Sequence, residues 1–373
     1  MRRLTGLALA VAVAVTTLAA GSAADAGTRA ETSPWRVVFR ASTPYLVLTS
    51  ITAVNRQDAW AVGFYGKTGD ARRPVVLHWN GSRWARVTVA VMGTGYTASR
   101  VQSTGPDDVW IIGTATVKDR TQTRDLRFNG TGWSVVPTPS TLLGAGIVVS
   151  YSNAWMIATE SCRTLPARCS TRLAHWNGSA WTYFWVPFEV SGFAAVDGHV
   201  WVTGLERMDV ARGIGYPALF KWNGRQWTGF GRTYQHLAYP SSVAASRRGD
   251  VWLQITPAAG KNRELIYHWR HGHRTSMAIP KTVGGLGLVV STPITYDGRR
   301  GFWSALARWT GTRWINLNFY ATKGLSQGLD DNFTVPVAPV PGTASAWAIG
   351  FAWPAPGTGQ SPDSIIAING PVP

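Results

Sequence analysis

The residues of this sequence that could do chemistry are, first, its scattered carboxylic acids. Hydrolysis of a glycosidic bond needs two of them at a suitable separation. No spacing in the sequence pairs any two, and the sequence has no G-x-S-x-G, H-E-x-x-H, phosphate-loop or calcium-loop motif. We therefore predict no catalytic residue, and a polysaccharide hydrolase or lyase stays open as an alternative. The carboxylates available to it are Asp70, Asp119, Asp125, Glu160, Glu189, Glu206, Asp209, Glu264, Asp330, Asp331 and Asp363.

Histidine and cysteine provide few further candidates. His271 and His273 flank a single glycine, which favours a solvated turn over a metal site. Cys162 and Cys169 are the only cysteines, and with no histidine between them they lack a metal ligand set. Outside the cytoplasm we expect this pair to form a disulfide that closes a short loop, with two unpaired thiols as the alternative. We expect no metal and no cofactor.

Tryptophan recurs with a regular spacing, and this spacing indicates which elements position the candidate side chains. The 373 residues include 20 Trp. A turn followed by a short strand centred on Trp recurs about every 48 residues, and a glycine usually follows three positions after that Trp. The seven copies of this D-x-W-x-x-G pattern contain Trp60, Trp110, Trp155, Trp201, Trp252, Trp303 and Trp347.

A second pattern, W-N-G-x-x-W, follows each copy of the first. Asn-Gly between apolar residues predicts a β-hairpin, because both central residues can take positive φ. The seventh copy begins at Ile368-Asn369-Gly370 without its second tryptophan, and Trp35 near the start of the chain supplies that residue. The other copies begin at Trp79, Phe128, Trp176, Trp222, Trp269 (a degraded copy) and Trp309.

Together the two patterns predict four antiparallel strands per unit, which is the composition of a β-propeller blade. The chain starts with the last strand of the unit that it finishes. A closed ring needs this arrangement, because it pairs two free sheet edges. We predict an all-β fold: a seven-bladed β-propeller in a single domain, 27–373, in which an N-terminal strand at 33–39 completes the blade formed by 332–373.

The paired motifs resemble the blades of bacterial secreted β-propeller repeat proteins that combine D-x-W-x-x-G with W-N-G-x-x-W. The resemblance covers all seven units. The repeat length is similar to that of kelch propellers, although their double-glycine signature is missing here. The resemblance implies a propeller fold and an extracellular location, and little about chemistry.

The N-terminus is typical of a secretory signal peptide. Arg2 and Arg3 precede an apolar run from Leu4 to Ala20, and Ala24-Asp25-Ala26 fits an A-x-A cleavage site. We therefore predict a signal peptide at 1–26 and a secreted mature chain. A membrane anchor is the alternative, although it would need about 20 apolar residues. Since no later segment has 18 consecutive apolar residues, we expect no membrane span in the mature chain.

Two tryptophans, Trp185 and Trp353, fall outside the repeat. Tryptophans within the repeat are expected to fill the wedge between diverging blades. The two exceptions lie in connections predicted to follow a fourth and a second strand, and such connections share one face of the ring, here called the loop face. Long and dissimilar loops on a rigid scaffold are typical of a binding surface.

The charge balance favours an anionic partner. Lys and Arg total 36 against 19 Asp and Glu, for a net charge of +17, while the charged fraction of 15% argues against a coiled coil. Aromatic rings can stack on sugars, and arginine forks onto carboxylates or phosphates. We predict a monomeric, non-catalytic protein that binds an extracellular glycan or anionic cell-wall polymer rather than nucleic acid, with a protein-interaction scaffold as a further alternative. The candidate ligand-binding residues are Trp185, Trp353, Tyr234, Arg72, Arg120 and Arg207.

Overall fold

The structure is a computed structural model in which Thr32–Pro373 forms one compact unit. The predicted signal peptide lies outside the described residues. No helix within the described residues is long and apolar enough to cross a membrane. The structure describes residues 35–41, 45–66, 72–93, 95–118, 120–139, 142, 146–163, 168–209, 214–232, 238–257, 265–279, 294–298, 301–303, 307–317, 319, 336–352 and 363–370.

Seven antiparallel sheets form the blades, numbered here in chain order. The first strand of the chain, β1 (Trp35–Arg40), belongs to blade 7. Blade 1 contains β2 (Leu46–Ala53), β3 (Ala59–Tyr65), β4 (Arg73–Trp79) and β5 (Trp84–Arg86). Blade 2 contains β6 (Tyr96–Gly105), β7 (Asp108–Val117), β8 (Arg120–Thr123), β9 (Leu126–Phe128) and β10 (Trp133–Val135), of which β8 pairs only with β7. Blade 3 contains β11 (Gly146–Ser150), β12 (Asn153–Arg163), β13 (Arg168–Trp176) and β14 (Trp181–Val186).

The remaining blades repeat the same strand order. Blade 4 contains β15 (Glu189–Val196), β16 (His199–Asp209), β17 (Ile214–Trp222) and β18 (Trp227–Arg232). Blade 5 contains β19 (Ala238–Ala245), β20 (Val251–Pro257), β21 (Leu265–Arg270) and β22 (His273–Ala278). Blade 6 contains β23 (Thr295–Tyr296), β24 (Phe302–Trp303), β25 (Ala307–Trp309) and β26 (Trp314–Asn316). Blade 7 contains β27 (Val337–Pro339), β28 (Ala346–Ala352), β29 (Asp363–Asn369) and β1.

The sheets close into a ring. The first strand of each blade contacts the first strand of the next, and β27 contacts β2. In blade 7, β1 pairs antiparallel with β29, with Trp35 opposite Asn369. The predicted seven-bladed propeller with four main strands per blade, closed by the N-terminal strand, is therefore confirmed.

The repeat tryptophans hold neighbouring blades together. In each blade the second-strand tryptophan packs against aromatic residues around the hairpin of the next blade. Trp155 lies 4.7 Å from Trp222 and 4.9 Å from Trp227, measured between ring centroids. Trp347 contacts the Trp79 ring of blade 1 at 5.2 Å and so completes the circle. The expectation that these rings fill the space between blades is confirmed.

The Asn-Gly hairpins differ from the expected two-residue turn. Trp79 pairs with Trp84, so the loop between them has four residues. Gly81 takes a φ of 90°, whereas the Asn80 side chain accepts hydrogen bonds from the backbone N–H groups of Ser82 and Arg83, both at 3.1 Å. The asparagine is therefore a side-chain cap of the loop and does not itself need positive φ.

The hairpin of blade 5, whose motif is degraded, has the two-residue turn that the Asn-Gly motif predicts for the other blades. There Arg270 pairs with His273, and both central residues take positive φ, 48° at His271 and 80° at Gly272. The described structure agrees with a turn at the two histidines.

The motif glycine is explained by close approach of the first strand. A Cβ at Gly204 would lie 1.7 Å from the carbonyl oxygen of Glu189, and one at Gly63 would lie 2.0 Å from that of Val47. Both carbonyls precede a β-bulge in the first strand of their blade. At Gly63 and Gly204 a side chain would therefore force the first strand to move.

Candidate functional site

The predicted ligand-binding residues that the structure describes are spread over four consecutive blades. Arg72 precedes β4 in blade 1, Arg120 lies in β8 of blade 2, Trp185 in β14 of blade 3 and Arg207 in β16 of blade 4. By strand direction, all four lie at the loop-face ends of their sheets. Among the described side chains of Arg72, Arg120 and Trp185, no hydrogen bond or ring contact joins any two; Arg72 instead stacks on Phe64, with its guanidinium carbon 4.3 Å from the ring centroid.

Other predictions fall outside the described part of the chain. Trp353 and Tyr234 lie outside the described residues, as does the side chain of Arg207. Cys162 and Cys169 are register partners on β12 and β13, so their backbones lie directly opposite each other. Their side chains are not described, and the disulfide stays a prediction.

An exposed aromatic pair stands on the outermost strand of blade 3. Trp185 is 59% exposed and Tyr183 is 36% exposed. They are two positions apart on β14, and alternate residues of a strand share one face. Trp181, on the same face, donates its indole N–H to the carbonyl of Pro137 in blade 2 at 2.9 Å, which ties the start of β14 to the neighbouring blade. The first residue of β14, the strand that carries the exposed rings, is therefore fixed to blade 2.

An arginine completes this surface. The guanidinium carbon of Arg172 lies 4.0 Å from the centroid of the Tyr183 ring, in cation–π geometry. Arg172 on β13 is also the register partner of Trp185. We call Arg172, Tyr183 and Trp185 the aromatic–arginine surface. The repeat pattern identifies only Trp185, because that residue falls outside it; the alternation from Trp181 to Trp185 is the sequence signal that points to Tyr183.

Paired polar side chains recur against the second-strand tryptophans, where each pair fixes an imidazole ring on the indole face. In blade 1, His78 Nε2 lies 3.0 Å from Asp58 Oδ1, and the His78 ring stacks on Trp60 at 4.0 Å. Blade 3 has the same arrangement of His175 and Trp155 at 4.2 Å, where burial lowers the pKa of His175. The imidazole covers the indole face and is held by its oxygen partner, which is a packing role repeated from blade to blade.

One of the hydrolase candidates, Asp125, is poorly placed to reach a substrate. Asp125 is fully buried in blade 2, where Thr138 Oγ1–H donates to it at 3.0 Å and the backbone N–H of Gly113 at 3.4 Å. Burial outweighs these hydrogen bonds and raises the pKa of Asp125 to about 6. Asp363 lies 3.8 Å from Arg40. Within the described residues, no group of three or more His, Cys, Asp or Glu could hold a metal ion.

Comparison with known proteins supports the fold and goes no further. No protein-family model matches the chain, and no curated protein matches it. The structure described as YCF48 bound to D1 peptide is similar with a TM-score of 0.54 at 14% identity, over 90% of this chain and 97% of that one. The β-propeller domain of the Trilobed protease from Pyrococcus furiosus is similar with a TM-score of 0.53 at 9% identity, over 85% and 97% of the two chains. At these identities the likeness shows a β-propeller alone.

Proposed function

We propose that this protein is a secreted, non-catalytic binding protein that recognises an acidic glycan or anionic cell-wall polymer through the aromatic–arginine surface. The observation that carries the proposal is the 59% exposure of Trp185 beside Tyr183 and Arg172. Burying an exposed indole stabilises a protein by roughly 2 kcal/mol, and contact with a ligand can supply this free energy. Membership of the bacterial secreted repeat family and removal of a signal peptide at 1–26 belong to the same proposal.

The chemistry of the surface favours a sugar that carries negative charge. The faces of Tyr183 and Trp185 can stack on the C–H face of a pyranose ring. Arg172 presents N–H donors in a planar fork that fits a carboxylate or phosphate. The net charge of +17 adds a long-range attraction for polyanions, which salt weakens.

The test is retention of the 27–373 chain on immobilised polygalacturonate and, in parallel, on neutral dextran, at low and moderate salt. We expect polygalacturonate to be preferred and Trp185→Ala to weaken this binding about tenfold, which corresponds to about 1.4 kcal/mol. Equal retention of Trp185→Ala and wild type, or no retention on any polymer, would overturn the proposal.

Tyr151 supplies a matched control. It is 49% exposed, and the Arg127 guanidinium carbon lies 4.0 Å from its ring centroid, the distance found for Arg172 and Tyr183. Tyr151 follows the first strand of blade 3 and so lies at the opposite end of that sheet. Tyr151→Ala should therefore bind like wild type. Release of new reducing ends during incubation would instead favour the hydrolase alternative, and retention of a protein partner but no polymer would favour the scaffold.

A further inference from the structure

A groove of about 510 Å³ separates blades 1 and 2. Its lining includes Asp58 from the turn after β2, His78 from β4, and Thr131 from the hairpin after β9. Turns after first and third strands lie at the end of the sheets opposite the loop face. From this end the groove extends to Val87 and Val91, which follow β5, and it is separate from the aromatic–arginine surface, which is on blade 3.

The groove lies beside Phe128, where blade 2 departs from the repeat. Blades 1 and 3 to 6 have Trp as the first residue of the hairpin motif, and blade 2 has Phe128. The smaller ring fills less of the wedge against Trp60 of blade 1, from which its centroid lies 5.6 Å away. Phe128 and Trp133 both line the resulting space.

The aromatic wall of the groove is rigid. The Trp133 ring packs edge-on against Trp60 at 5.6 Å and tilted against Phe128 at 5.4 Å. Each ring is thus held by the other two, and the partly exposed faces of Phe128 and Trp133 border the opening. A preformed wall of this kind costs little ordering on ligand binding.

The polar side of the groove suits hydroxyl groups. The imidazole of His78 is fixed between Trp60 and Asp58 Oδ1, and the side chains of His78 and Asp58 are 30% and 18% exposed. Asp58 Oδ2 would accept from a ligand hydroxyl. Thr131 donates its own hydroxyl hydrogen to Asn129 Oδ1 at 2.9 Å, which leaves its oxygen as an acceptor.

We propose that this groove is a second binding site, specific for a neutral sugar ring. A pyranose offers an apolar C–H face to Phe128 and Trp133 and a rim of hydroxyls to Asp58 and Thr131. The carboxylate of Asp58 disfavours anionic ligands by like-charge repulsion, so the selectivity is opposite to that of the aromatic–arginine surface.

Saturation-transfer NMR tests the proposal with methyl glucoside, methyl mannoside, methyl galactoside and methyl glucuronide at millimolar concentrations. We expect transfer to at least one neutral glycoside. Phe128→Trp restores the residue found in blades 1 and 3 to 6 and fills the groove, so this variant should melt at or above the wild-type temperature and lose at least tenfold in affinity. Trp185→Ala should keep neutral-glycoside binding, which separates this site from the proposed polymer site.

The proposal is overturned if wild type shows no transfer from any neutral glycoside, if Phe128→Trp binds as well as wild type, or if Trp185→Ala abolishes the signal. If Phe128→Trp does not fold, Thr131→Trp blocks the rim of the groove instead. Its matched control is Ser179→Trp, at the same hairpin position of blade 3, where the side chain makes the same hydrogen bond to its asparagine at 2.9 Å. Loss of binding in Thr131→Trp alone supports the site, and equal binding by both variants overturns it.

Discussion

Replacing Asp125 by asparagine should remove a pH dependence from the stability of the propeller. The position is apolar and buried in the other blades for which the register is described, as Val76, Leu173, Leu219 and others show. Blade 2 alone buries a carboxyl group there. Asparagine keeps the shape and can still accept from Gly113 or Thr138, so it removes the ionisation and little else.

The magnitude follows from the raised pKa. The pKa of Asp125 is about 6 in the folded chain, against 3.8 for an aspartate exposed to water. Because the folded state holds the proton more tightly, the contribution of this group is fully present below pH 3.8 and is lost as the pH rises through 6. A rise in pKa from 3.8 to about 6 corresponds to about 3 kcal/mol. The free energy of unfolding of wild type should therefore fall by about 3 kcal/mol, relative to Asp125→Asn, between pH 4 and pH 7.

Urea unfolding of both proteins at half-unit pH steps measures this difference. We expect Asp125→Asn to be the more stable protein at pH 7, with the advantage gone at pH 4. Asp363→Asn controls for the loss of any carboxylate. Asp363 is partly exposed and pairs weakly with Arg40, at 3.8 Å, so the free energy of unfolding of this variant should change with pH as that of wild type does. If the difference between wild type and Asp125→Asn stays constant over this range, Asp125 is not a buried ionisable group of raised pKa.

Three further predictions concern packing and the cysteine pair. Trp155→Ala should lower the free energy of unfolding by about 3–5 kcal/mol in urea titrations, because its ring is fully buried between blades, whereas Trp185→Ala should change it by less than about 0.5 kcal/mol. Gly204→Ala should destabilise by about 3 kcal/mol, since its Cβ would lie 1.7 Å from a carbonyl oxygen; a melting temperature equal to that of wild type would show that the bulge moves freely. Cys162 and Cys169 should give no thiol titration in the unfolded, unreduced chain, and reduction should cost about 2 kcal/mol; two titratable thiols would establish the unpaired state.

The architecture was predictable because the same residues pack between each pair of neighbouring blades. Trp60 and its six counterparts pack against equivalent positions of the next blade, so their spacing is visible without coordinates. Ring closure was predictable for a similar reason: Trp35 is the residue missing after Asn369, and the two are observed as register partners. The turn geometry was not, because Asn80 caps its loop through a side-chain oxygen whose partners depend on the loop length.

The candidate sites were only partly predictable, because they depend on contacts between blades. Trp185 was selected as an exception to the repeat, and its exposure agrees with that choice. Phe128 was visible as a substitution in the motif, but the groove beside it depends on how Trp60 and Trp133 pack around the smaller ring. Asp125 was counted among possible catalytic acids, since the sequence does not show that its position faces the inside of a blade.

These three departures from the repeat, at Phe128, Asp125 and Trp185, fall close together. The packing between blades gives a physical reason to ask what offsets their cost. A residue at a repeat position is selected mainly by the wedge between blades, and a substitution there costs stability unless something offsets it. Phe128 gives up part of an indole, Asp125 gives up an apolar contact, and β14 exposes Trp185. All three lie in blades 2 and 3, whereas blade 5 departs from the repeat at its hairpin, where Thr275 replaces the second tryptophan, and blade 7 has Ile368 in place of the first. The departures at Phe128 and Trp185 are the ones that border the two proposed binding surfaces, so Phe128→Trp and Trp185→Ala test whether ligand binding offsets their cost.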